Sequence, residues 1–375
     1  MTDRLGASDE KGGAMPVAGA VPVAGGMQTA EAMQTAEGWF HRRATDYVEA
    51  QILFHLNQVG VLALLCTGEP QTATGFARVL RLDRKVTAAL LDYLFEIDTL
   101  LDRDEDGAYS LSPFGQAVIS RFSAVGEEGE PRVNMFDVRV GAYGPVWSAL
   151  GGLLRGEARY GEDVQREGRF AEGGVAKLCL RFLGALTSHI DDQGARQILE
   201  VGLTGMLPRL RRRYPHGCLY GLDRSAIAVK KSADDALDEG AADITWLNID
   251  FFDVPEWSAT VKPDLPGVVY SLHLHELLAR GEDAVVAALQ EVRRRLPMWS
   301  VLAFEQPRLA HGDRETMPEP LWLYAQSNVL IHHLIGNGVI LSREGWRQLG
   351  DRAGFAKVTD QSCDYLGYRA FSFAP

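Results

Sequence analysis

The sequence predicts an α/β chain in which a parallel sheet, covered by helices on both faces, fills the C-terminal half and a winged-helix module precedes it. From about Gln197 short apolar runs alternate with helical patterns, as in a parallel sheet with helical crossovers. Between Phe40 and about Phe122 three patterns at helical spacing lead into two strand-like runs around an acidic turn, the order of a winged helix. The length agrees: 375 residues suit two or three domains of about 150 residues each.

Residues 1–38 carry two tandem duplications, PVAGA/PVAGG from Pro16 and Pro22 and MQTAEA/MQTAEG from Met27 and Met33. Such a segment buries too little apolar surface to offset its ordering entropy, so a disordered tail is expected, turning helical near Ala36. A swapped arm packed on a partner subunit is the alternative.

Residues 39–125 hold the winged-helix module. Tyr47, Val48, Ile52, Leu56 and Val59 share one helical face; Thr72 is placed to cap a short helix through Phe76 and Leu80; Val86, Leu90, Leu91, Leu94 and Phe95 mark a third helix. Leu100-Leu101, the turn Asp104 to Gly107 and Tyr109 to Leu111 then read as a hairpin. The third helix of a DNA reader would be basic; here it is apolar and acidic, a face suited to a protein partner. Residues 126–190 are expected to form a helical linker and lid, with Leu150, Leu153 and Leu154, then Val175, Leu178, Phe182 and Leu186, at helical spacing. Residues 191–375 hold the sheet.

With 38 Lys+Arg against 50 Asp+Glu, the formal charge of −12 repels phosphate backbones and anionic lipid. Cys66, Cys179, Cys218 and Cys363 form no CxxC pair, which argues against a zinc knuckle or disulfide scaffold and for a reducing, cytoplasmic setting. No apolar run nears the ~18 residues of a membrane span. Neither nucleic acid nor membrane is expected as a partner.

In parallel sheets the ligand lies beyond the carboxyl ends of the strands. Those ends fall at Gly202, Asp223, Asp250, His273/His275 and Glu305. Glu200-Val-Gly202-Leu-Thr-Gly205 is a glycine turn ahead of a helix, and Asp223 follows about 20 residues later, where a ribose-binding acid belongs. Asp250-Phe251-Phe252 offers a hydrogen-bond acceptor and an aromatic face for a purine; a tight turn without a nucleotide is the alternative.

At these motifs the chain resembles the class I S-adenosylmethionine methyltransferases that carry an N-terminal winged-helix dimerisation domain, such as small-molecule O-methyltransferases. The resemblance runs from about Phe40 to the C-terminus. It rests on YSLSPFG from Tyr109, ILEVGLTG from Ile198, GLDRS from Gly221, DFFD from Asp250, SLHLHELL from Ser271 and SREGWRQLGDRAGF from Ser342. It implies a Rossmann-like methyltransferase domain, a homodimer, and S-adenosylmethionine lined by Glu200, Gly202 and Gly205 at methionine and ribose, Asp223 at ribose, and Asp250 with Phe251 at adenine. The family's further glycine is replaced by Leu203 and Thr204 in a turn one residue short.

His275 falls where that family has its catalytic histidine, followed by Glu276 as orienting acid; a histidine takes a proton near neutral pH. In the helical pattern Leu321 to Ile335, the apolar face of Leu330, Ile331, Leu334 and Ile335 extends through Trp322 and Val329 to His333, while His332 points away. His275 with His333 and a chelating substrate would suffice for iron or zinc. This resembles the branch that C-methylates α-keto acids with a bound metal; a buried histidine bonded to a neighbour is the alternative. The implied activity is methyl transfer to a small molecule of secondary metabolism. The alternatives are a methyltransferase-fold enzyme catalysing another reaction, favoured by the altered glycine turn, and a ligand-sensing winged-helix regulator, disfavoured by charge.

Overall fold

The computed structural model describes residues 30–97, 99–122, 137–168, 170–171 and 178–375. The first 29 residues of the expected tail lie outside them, as does Val175 of the expected lid. Up to Gln51 the chain is a compact unit of its own, described through the first part of the helix Ala30–Gln58, which starts within the stretch expected as tail. Its large apolar side chains lie open: Trp39 is 54% exposed and Phe40 69%, with the Arg43 guanidinium 5.4 Å from the Trp39 ring.

From Ile52 onward the second unit begins. Three short strands, β1 (Gln71–Thr72), β2 (Leu101–Arg103) and β3 (Ala108–Leu111), make an antiparallel sheet in the order β1-β3-β2. Thr72 caps the helix Ala73–Leu80, its hydroxyl accepting from Gly75 N at 3.1 Å. Leu91 and Leu94 of the helix Arg84–Ile97 are buried with Leu56, Phe76 and Tyr109 in the chain's own core. Asp92 of that helix accepts from Tyr109 Oη at 2.5 Å and from Arg103 at 3.0 Å. The face read from sequence as seeking a partner is thus largely closed by its own hairpin.

A π-helical turn, Asp137–Ala142, and the helix Gly144–Ser148 follow. Ala142, Tyr143 and Val146 pack with Ile331 and Ile335 of the helix Glu319–Ile335, a small core separate from the sheet.

Seven strands form the main sheet: β4 (Gln197–Val201), β5 (Cys218–Leu222), β6 (Thr245–Leu247), β7 (Gly267–Ser271), β8 (Trp299–Glu305), β9 (Lys357–Ser362) and β10 (Arg369–Ala374). Their order is β6-β5-β4-β7-β8-β10-β9, parallel through β8, with β10 antiparallel to both β8 and β9. Alternate residues face opposite sides. Leu199, Val269 and Val301 join Leu289 and Trp346 in one core, while Ile198, Val268 and Leu302 join Leu186 and Leu210 in the other. At roughly 1.5–3 kcal/mol per buried large side chain, these two layers dominate the stability of the unit. At the far edge the buried Asp360 carboxylate takes Arg343 at 2.9 Å, Arg347 at 2.7 Å and also Arg369.

Candidate functional site

The strand order reverses beside β4, so β5 and β7 leave it in opposite directions and their carboxyl ends open a crevice. Gly202 and Gly205 enter it with φ of +75° and +81°, a region costly for other residues. A Cβ on Gly202 would also sit 3.1 Å from His273 Cδ2, so the glycine lets the β4 and β7 ends approach. Glu200, 1% exposed, closes the turn from below, its Oε1 accepting both the Thr204 N–H, at 3.0 Å, and the Thr204 hydroxyl. Burial raises its pKa to about 7 against these hydrogen bonds. Its Oε2 is buried on the side of the Tyr270 hydroxyl, which is itself fully buried.

Asp223 stands at the β5 end, where its carboxylate accepts from Ser225 N at 2.7 Å. Asp250 accepts from Phe252 N at 3.0 Å and pairs with Arg280, whose guanidinium lies 4.5 Å from the Phe252 ring. The expected aromatic face is corrected here. Phe251 is 4% exposed and stacks on Trp257 at 6.2 Å, its carbonyl accepting the Trp257 indole N–H at 3.0 Å, so the core holds it and Phe252 is the half-buried ring beside Arg280.

After β7 the short helix Leu274–Leu277 turns His275 inward. Glu305, the last residue of β8 and 1% exposed, accepts from His275 N at 3.0 Å and from its Nδ1 at 2.7 Å. A carboxylate partner fixes the proton on Nδ1 and leaves the Nε2 lone pair free. Burial lowers the His275 pKa, but the Glu305 charge and hydrogen bond outweigh it and the net shift is upward. Glu276, expected to orient His275, does not: one helical step round, it accepts from Asn337 Nδ2 at 2.6 Å and lies 3.5 Å from His273 Nδ1. Donor atoms of His273, His275 and Glu276 lie within 4.8 Å of one another.

The second histidine is also corrected. His332, not His333, meets His275, the rings edge to face with centroids 4.5 Å apart, and His333 is exposed. Leu330 is 49% exposed, so the buried stripe of the helix runs through Ala325, Ile331 and Ile335 and carries His332 inward. His332 Nδ1 donates to Asn337 O at 3.0 Å, and burial, then the neighbouring His275, lower its pKa to about 3. Both rings thus hold an oxygen at Nδ1 and present Nε2, the arrangement seen in metal-ligating histidines, whereas the pair His275 and His333 does not fit an ion. Sequence reasoning gave no role to Glu305, Asn337 or His332. Only Glu305 carried a signal, its place at a strand end.

The sheet order and the parallel strands through β8 make a Rossmann-like fold, one that solved methyltransferases share. Among solved structures the chain is similar to the mitomycin 7-O-methyltransferase MmcR, at 17% identity over 91% of this chain and 98% of that one, with a TM-score of 0.65. It is likewise similar to PigF bound to SAH, at 17% identity over 89% and 97% with a TM-score of 0.63. Human N-acetylserotonin methyltransferase in complex with SAM shares 18% identity over 90% and 96%, with a TM-score of 0.60. No protein-family model and no curated protein matches the sequence.

Proposed function

We propose that this chain transfers the methyl group of S-adenosylmethionine to a hydroxyl of a small molecule of secondary metabolism. The observation that carries the reading is His275, fixed by Glu305 on β8 with its Nε2 free at the carboxyl end of the sheet. Nε2 takes the hydroxyl proton as the oxygen attacks, and Glu305 stabilises the imidazolium that forms. The cofactor supplies an electrophilic methyl on a sulfonium. Gly202, Gly205 and Glu200 would border its methionine and ribose, Asp223 its ribose, and Asp250 with Phe252 its adenine. Arg280 pairs with Asp250 and covers the Phe252 ring in this structure, so an adenine held by these two residues would share them with Arg280.

Calorimetric titration with S-adenosylhomocysteine tests this. Wild type should bind, and Asp223→Ala should weaken binding by about 1–3 kcal/mol through loss of a ribose acceptor. No binding at millimolar cofactor by the wild type would sink the reading in favour of a repurposed fold.

A second reading follows from the contact of His332 with His275. An iron or zinc ion would be held by these two imidazoles and, as a Lewis acid, would favour methylation at the carbon of an α-keto acid. Stoichiometric metal in wild type, lost in His275→Ala and His332→Ala, would support it; metal-free wild type would remove it.

We further propose a cytoplasmic homodimer with domain boundaries near residues 38, 125 and 190, the winged-helix module mediating assembly. The exposed Trp39, Phe40 and Tyr47 support this, and light scattering that gives a monomer at micromolar concentration would count against it. No described helix is long and apolar enough to cross a membrane.

A further inference from the structure

Arg139 projects from the π-helical turn Asp137–Ala142, a backbone form that recurs at functional sites. The turn is pinned by Trp147, whose indole N–H donates to Arg139 O at 3.2 Å. The guanidinium lies 4.4 Å from the Tyr324 ring, and Nη2 reaches Tyr324 O at 3.5 Å. Its Nε and Nη1 are buried without a hydrogen-bond partner. A half-buried guanidinium with two buried donors unmet is costly unless an anion meets it, and a carboxylate is the acceptor that best matches its charge and planarity.

Its position indicates which anion. The same helix carries Tyr324 and His332, and His332 packs on His275. Arg139 lies close enough for its charge to act on both His332 and Tyr368, and Tyr368 also feels Glu305. In a chain of net charge −12, this guanidinium thus packs on the helix whose His332 meets His275. Resting on the methyltransferase reading, we infer that Arg139 is the anion-recognising residue of the substrate pocket and that the small molecule methylated here carries a carboxylate.

The test uses the full chain saturated with S-adenosylhomocysteine, titrated with benzoate, salicylate, mandelate and 3-phenylpropionate and with the primary amide of each. At least one acid should bind about tenfold or more tightly than its amide in wild type, the worth of a charge-assisted hydrogen bond. Arg139→Gln should bring acid and amide together, Arg139→Lys should keep part of the preference, and homocysteine-cofactor affinity should stay unchanged in both. Raised salt should weaken acid binding in wild type, a readout that survives if Arg139→Gln does not fold. Equal binding of every acid and its amide in wild type overturns the inference, as does a preference that persists in Arg139→Gln. Repeating the comparison without the cofactor product separates a failure of this subsite from a failure of the methyltransferase reading.

Discussion

The turn after the helix Glu319–Ile335 offers a pair of substitutions whose difference isolates one contact. Gly336 and Gly338 both have positive φ, +61° and +83°. An alanine at either costs about 1–2 kcal/mol for the left-handed backbone. At Gly336 that is the whole effect, because nothing lies within 4 Å of the added Cβ. At Gly338 the Cβ would stand 1.9 Å from His275 O and 2.7 Å from Glu276 Cα, where contacts under 3.0 Å essentially never occur. Backbone must therefore move by about 1 Å, at an overpacking cost of about 1–3 kcal/mol. The move also strains the Val339 N–H bond to His275 O, now 3.1 Å, and the Asn337 bond to Glu276. Urea unfolding should thus show Gly338→Ala less stable than Gly336→Ala by about 1–3 kcal/mol with equal m-values. With a methyl acceptor in hand, turnover should fall about 100-fold in Gly338→Ala, as reacting groups misplaced by about 1 Å do. Two variants alike within about 0.5 kcal/mol, below the cost of any real overlap, would refute the argument that this turn braces the His275 helix.

Glu305→Gln should cut turnover by about 100-fold, within the range for general-base catalysis, and move the acid limb of the pH profile downward. In wild type that limb should lie above the ordinary 6.5 of histidine, because the Nε2 lone pair is needed and Glu305 raises the pKa. An unshifted limb in Glu305→Gln would count against the pairing. For His332 the folded pKa of about 3 lies below its ordinary 6.5, so the unfolded chain binds the proton first. Stability at this site should fall as pH drops from 6.5 toward 3, by about 1.4 kcal/mol per unit, and the slope should lessen by that amount in His332→Gln. Equal slopes in urea titrations at pH 6.5 and 5.5 would show that His332 is not buried against His275.

Five of the seven strands were legible because β4, β5, β7 and β8 are almost wholly buried and, with β6, read as short apolar runs, so their ends marked Gly202, Asp223, Asp250, His275 and Glu305 together. The polar β9 and its partner β10 gave no such run. The partners at those ends were less so. Glu276 adjoins His275 in sequence, yet a helix sends neighbours about 100° apart, and the carboxylate that meets the ring comes from β8, 30 residues on. Helical periodicity counted the apolar but exposed Leu330 into the buried face of its helix, which rotated the assignment from His332 to His333. Phe251 and Phe252 are identical in chemistry, and only the Trp257 stack decides which one turns inward. Arg139 lies in a π-turn, whose period matches neither helix nor strand pattern, and so carried no sequence signal.

The two rims of the main sheet end differently, and each ending blocks a stray strand. On one side β6 has three residues, too few to template a neighbour. On the other, β9 presents Lys357, Thr359, Asp360 and Gln361, with the Asp360 carboxylate clasped by three arginines from its own chain. Any intruding strand on that rim would have to lie along a row of polar side chains beside that ion cluster. The molecule can therefore keep a continuous seven-strand platform beneath its pocket while remaining a poor seed for edge-to-edge aggregation.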